Sequence, residues 1–241
     1  MPEPIIFYDI PGVGKAKAWS PNTWKVRYTL NFKGLPYKTV WVEYPDIEAL
    51  CKKIGASAVE KRADGSPLAR YLDKTYPDTP QVIPEEADTL IAAFGDAIYA
   101  ASSFAFVPII IPAAFSILRP ASQPYFRKTR EVRLGGKLEE LAPAGSEKRA
   151  ASWQGTQKGV HKMAGWFEAA GKEKLFVMGD KKGITYADIM LASWFVWFKK
   201  CCGEESQEWK DMMSWDGGRW ARFVAAFEKY EVVDEGEDVV L

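Results

Sequence analysis

Trp24, Tyr28 and Phe32 recur every four residues, and Val26 and Leu30 mark a second apolar row. This spacing predicts a helix with an apolar face. Its ends are signalled as well. Ser20 stands where a hydroxyl caps a first turn, and Pro21 fits the first helical position, whose N–H has no intrahelical acceptor. Gly34 suits a left-handed C-cap. Ile5 to Ile10 before the helix and Tyr37 to Val42 after it read as strands. The chain therefore opens with a strand–helix–strand unit that carries a serine at the N-terminus of its helix.

The pattern then predicts a short helix over Pro45 to Ile54, capped by Asp46, and a polar loop from Gly55 to Pro67. Leu68 to Tyr76 reads as helix again. Pro77, Pro80 and Pro84 mark residues 77–86 as a linker. Beyond it only helices are expected. No charge occurs from Ala97 to Leu118, a run long enough to raise a membrane span. Pro108 and Pro112 interrupt it, Asp96 stands at its edge, and no Lys/Arg cluster flanks it. The pattern favours a buried helix broken near Pro108–Pro112, forming the apolar wall of a pocket. Further helices are predicted over Pro124 to Leu141, Ala151 to Gly171 and Trp215 to Tyr230. Thr185-Tyr186-Ala187-Asp188 is a capping box, with Ile184 and Ile189 as its staple, ahead of a helix that is apolar nearly all round. Glu231 to Leu241 is acidic and reads as frayed. The organisation is a domain over 1–76, the linker over 77–86, and an all-helical domain over 87–241.

Charge narrows the partners. Lys+Arg and Asp+Glu are equal at 32, so no net field steers the chain to nucleic acid or to an acidic membrane. Ten Trp among 14% aromatics suit a pocket for flat apolar ligands. The three cysteines, Cys51, Cys201 and Cys202, form no Cys-x-x-Cys pair, which points to a reducing, cytoplasmic compartment. The single histidine, His161, sits on an amphipathic pattern and reads as structural. With so few His and Cys, no metal site is expected. Pro11 to Lys15 lacks the spacing of a phosphate-binding loop.

Nothing evident acts as a base for Ser20, so it is a poor covalent nucleophile. A helix N-terminus does carry partial positive charge and free N–H groups, and a hydroxyl there can donate to an anion. A thiol gains most from such help, because its thiolate is the reactive form. A plain N-cap role stands beside this reading.

The layout resembles the glutathione transferases. The stretch Trp19 to Tyr28, with Ala69 to Pro77 and Thr185 to Asp188, is similar to the fungal etherase-like class, relatives of bacterial lignin β-etherases. The resemblance implies an α/β plus all-α fold: a thioredoxin-like N-terminal domain and a C-terminal helical bundle. It implies glutathione as co-substrate, Ser20 as the catalytic residue facing its sulfur, and polar contacts from Asn22 and Thr23. The neutral charge and the apolar Phe104–Phe115 region fit a hydrophobic-substrate site around Phe104, Phe106, Ile110 and Phe115, and the resemblance implies a homodimer. The family carries a third and fourth strand where this sequence has only Gly55 to Leu68, without a β-branched run to build them. Ser66 and Pro67, with a cis bond at Pro67 as one option, are the nearest substitutes for the lost peptide contacts. The sheet is expected to lose a hairpin, at a cost in stability. Three functional readings follow. One is a transferase that conjugates or cleaves hydrophobic aromatic compounds. Another is a ligandin-like binder of aromatic small molecules. The third is an inactive variant.

Overall fold

The structure is a computed structural model that describes residues 4–56, 65–102, 104–169, 171 and 174–241. β1 (Ile5–Asp9) leads into α1 (Pro21–Lys33) and then β2 (Tyr37–Trp41). The strands run parallel, with Ile5 opposite Tyr37 and Asp9 opposite Trp41. Gly34 ends α1 with φ 66°, a conformation open to glycine at little steric cost. α2 (Ile47–Lys53) and α3 (Ser66–Thr75) follow. Among the described residues no strand lies between them, and residues 57–64 fall outside the described set. No described peptide bond is cis, and Pro67 occupies the first turn of α3. Pro67 is thus spent on starting a helix, where its fixed φ is already helical, and the cis option is not taken.

The helical part comprises α4 (Asp88–Ser102), α5 (Val107–Ser116), α6 (Gln123–Leu134), α7 (Leu138–Leu141), α8 (Glu147–Glu168), α9 (Tyr186–Cys202) and α10 (Gln207–Ala225). A thioredoxin-like unit and a helical bundle are therefore both present. The break in the charge-free run lies ahead of Pro108 rather than between the prolines. α4 and α5 meet at 96°, and Pro108 takes the first turn of α5. No single described helix is long and apolar enough to cross a membrane. Gly135, at φ 71°, splits the helix expected over 124–141 into α6 and α7. Left-handed Asp216, Gly217 and Gly218 kink α10, so the last helical limb begins after them.

α9 is the axis of the molecule. Ile189, Leu191 and Phe198 are fully buried, and α1 packs along it through Trp24 and Tyr28. The capping box is in place. Asp188 accepts from the Thr185 amide (2.9 Å) and hydroxyl (2.8 Å), and also from the Val177 amide (2.8 Å).

The C-terminal segment is docked, not frayed. β3 (Glu237–Asp238) extends the sheet along the outer edge of β2, parallel to it, giving the order β1-β2-β3. Asp234 accepts from the Thr39 amide (2.7 Å), the Thr39 hydroxyl and Arg27 Nη1 (3.2 Å). Asn31 Nδ2 donates to the Tyr230 and Val232 carbonyls (2.7 and 2.9 Å). Gly236 is required by closeness as well as by its φ of +62°, since a Cβ there would lie 2.5 Å from Trp41 Nε1. These partners lie far away in sequence, so a local hydropathy pattern cannot register them.

Candidate active site

The start of α1 is fixed from both sides. Arg27 is fully buried, and its Nη2 lies 2.8 Å from Asp9 Oδ2, which ties α1 to β1. Burial pushes the Asp9 carboxyl up, and the guanidinium opposes that push. At the front of the helix the Ser20 carbonyl accepts from Trp24 N (2.9 Å) and Thr23 Oγ1 (3.1 Å). The Ser20 hydroxyl makes no capping bond to α1, although its backbone is extended as a cap requires. Ser20 is 6% exposed.

A cleft opens where the first turn of α1 meets α4 and α9. Pro21, Asn22 and Lys25 form one wall. Ile98, Tyr99 and Ser102 of α4, Phe106, and Met190 and Trp194 of α9 form the other. The cleft encloses only about 80 Å³, so it is narrow. Lys25 is buried, and its ammonium donates to Asn22 Oδ1 at 3.1 Å. The wall is thus polar and cationic on the α1 side and aromatic on the other. Ser102 Oγ donates to the Tyr99 carbonyl (2.9 Å). Trp194 Nε1 is buried without a hydrogen-bond partner.

The residues singled out in the sequence divide. Asn22 and Phe106 line the cleft. Ser20 and Thr23 adjoin Pro21 and Asn22 in sequence but do not line the cleft. Phe104 is 53% exposed, stacks on Tyr99 at 6.2 Å, and has φ 54°, a strained value for a bulky residue. Ile110 is fully buried in the core, and Phe115 packs under the Arg127 guanidinium and beside Phe126, so neither lines the cleft. A strand-free helix pattern shows which residues are apolar but not which face meets α1. Ser66 is buried, and its Oγ accepts from Arg70 Nη1 (2.9 Å). Ser66 and Pro67 stand at the start of α3, next to Gly65, and do not line the cleft. His161 pairs with Asp216 at 2.6 Å on the exposed side of α8. Lys25, Tyr99, Met190 and Trp194 were not singled out from the sequence. Only the spacing of Asn22 and Lys25, three apart on one helix, carried a local signal.

Cys201 and Cys202 are both held as thiols. Burial pushes Cys201 well up and Cys202 up to about 12. Neither is primed as a nucleophile.

Three comparisons bear on identity. The model of the glutathione S-transferase C-terminal domain matches residues 89–230. A glutathione S-transferase of Ceriporiopsis subvermispora, solved in complex with glutathione, is 50% identical, with a TM-score of 0.91 over 97% of this chain and 100% of that one. The glutathione transferase GSTFuA3 of Phanerochaete chrysosporium is 44% identical, with a TM-score of 0.87 over 96% and 99% of the two chains. Among curated proteins, the glutathione S-transferase-like protein ustS of Aspergillus flavus is 27% identical, covering 90% of this chain and 87% of its own. With more than half of its length matched by the family model, the chain belongs to the glutathione S-transferase family.

Proposed function

We propose that this protein joins the thiol of glutathione to hydrophobic aromatic electrophiles, or uses it to cleave aryl ethers, as the etherase-like resemblance implies. The observation that carries this reading is the cleft, with a helix N-terminus and a buried ammonium on one wall and aromatic rings on the other. Glutathione carries two carboxylates, so a cationic wall fits it, and the 50%-identical relative was solved with that tripeptide bound.

Ser20 then donates its hydroxyl to the glutathione sulfur and holds it as thiolate, with the positive end of α1 adding to the effect. That the hydroxyl is not spent on capping supports this role. The thiolate attacks the electrophilic carbon of the aromatic substrate. A carbon–sulfur bond forms, and the bond to the leaving group breaks with its electron pair; in an ether, the phenolate leaves and takes a proton. Asn22 steadies Lys25 at the mouth. Free Cys51, Cys201 and Cys202 support a reducing, cytoplasmic setting. Exposed Leu68, Tyr71 and Leu90 on α3 and α4 support a homodimer.

The test is conjugation of glutathione to a chlorinated dinitrobenzene. Ser20→Ala should lower kcat/KM at neutral pH by roughly 10- to 100-fold and move the rate profile to higher pH, as expected for one lost donor to a developing anion. Equal rates would remove Ser20 from the mechanism. The narrowness of the cleft favours a second reading, a ligandin-like binder of aromatic molecules. Dye displacement without turnover would select it, and loss of both binding and turnover would select an inactive variant.

A further inference from the structure

We propose that the groove between α8 and the kink of α10 is a second binding site, for a planar aromatic carboxylate whose ring lies against Trp215 and whose carboxylate accepts from Lys158 and His161.

The groove encloses about 380 Å³ and is lined by Gln157, Lys158 and His161 of α8 and by Trp215 and Asp216 of α10. It shares no lining residue with the cleft at α1, so the proposal does not depend on how that cleft is read. Left-handed Asp216, Gly217 and Gly218 break α10 here. The Asp216 carboxylate meets two donors at the break, His161 Nδ1 (2.6 Å) and Trp220 Nε1 (2.7 Å). The Asp216 side chain is only 6% exposed, against 78% for His161. The one acid among the lining residues is therefore spent inside the protein.

The other lining side chains all carry donors. With Nδ1 bound to Asp216, the Nε2 of the exposed His161 ring is left for a ligand, and the same carboxylate holds the imidazole pKa above its ordinary value. Lys158 and Gln157 are exposed, and neither has a partner among the described residues. The Trp215 indole N–H donates to no described acceptor and is not one of the buried unpaired nitrogens. The Trp215 ring is held in place: Trp153 packs against it with centroids 5.0 Å apart, and Trp153 Nε1 donates to Asp211 (3.0 Å). A ring that carries a carboxylate suits both parts of the groove. Its face covers indole surface, and its oxygens accept from cations that no free acid opposes. A neutral ring gains only the first contact. An anion without a ring gains only exposed charge contacts, which are weak alone.

The experiment uses 2-naphthoate and its neutral counterpart 2-naphthamide. Indole ¹⁵N–¹H spectra are recorded through each titration, and the Trp215 resonance is identified by its absence in Trp215→Phe. Affinity is read from the shift of that resonance, so binding elsewhere on the molecule does not enter. In the wild type naphthoate should move it, and should bind at least 5-fold more tightly than naphthamide. Lys158→Gln and His161→Gln change exposed side chains and should keep the fold. Each should lower the naphthoate-to-naphthamide affinity ratio roughly 2- to 5-fold, the weight of one exposed charge contact. An unmoved Trp215 resonance, equal affinities for the two ligands, or a ratio indifferent to both substitutions would each overturn the proposal. Should Trp215→Phe not fold, the ratio is taken by calorimetry for the wild type, Lys158→Gln and His161→Gln, and an unchanged ratio overturns it.

Discussion

Asp188 is fully buried at the head of α9, and three donors converge on its carboxylate. Burial outweighs those donors and pushes its pKa up from 3.8 to about 6. The sign follows from proton linkage. Between those values the folded state holds a proton that the unfolded state has lost, so this group's contribution to stability falls as pH rises from about 4 to about 6. Urea titrations across that range should show the fall in the wild type and its absence in Asp188→Ala. That variant should lose about 2–4 kcal/mol, because the Thr185 and Val177 amides are left unpaired. Arg27→Met should cost about 3–5 kcal/mol by stranding the Asp9 carboxylate, measured by the same unfolding curves. The roles of Pro21, Gly34 and Thr185 in starting and stopping helices were legible, because each acts within a few residues of itself, whereas Ser20 holds the cap position without its hydroxyl making the capping bond. Lys25 and Trp194 were not, since their place in the cleft depends on α1 meeting α9.

Helices and strands were read most reliably where a strong local punctuation mark stood, and misplaced where the mark was read at the wrong residue. Pro108 starts α5 instead of breaking it, and Gly135 cuts a helix that apolar spacing had carried onward. The acidic tail was misread for another reason. Its hydrogen bonds run to Thr39, 195 residues away, and no pattern within the tail records them. Asp234→Ala should weaken this element by roughly 1–2 kcal/mol and expose it to limited proteolysis between residues 231 and 241. Burial opposes ionisation of Asp234, but donors from Thr39 and Arg27 prevail and hold its carboxyl below the usual range. Docking of the tail is therefore fully supported above the ordinary carboxylate pKa and is lost as pH falls through the lowered one. Proteolysis should accelerate only in that acid range. Gly236→Ala should release the tail at every pH, because the added methyl meets Trp41 and the Thr39 carbonyl.

Across the whole molecule, the two-part layout, the central capped helix and the absence of a strand between α2 and α3 among the described residues all followed from the order of apolar and polar positions. The closing of the sheet by the chain's own end did not. Tyr28 of α1 stacks edge-on against Phe227, and Phe32 against Tyr230, so the α1 face and the C-terminal helices share one aromatic seam. Calorimetry should therefore give a single endotherm, with no earlier melting of the sheet. Proteolytic loss of the last ten residues would uncover the far side of β2, a row of backbone donors and acceptors with no neighbour. Such an edge recruits strands from other chains. Nicked protein should thus assemble beyond the dimer in proportion to its concentration, and the intact chain should not.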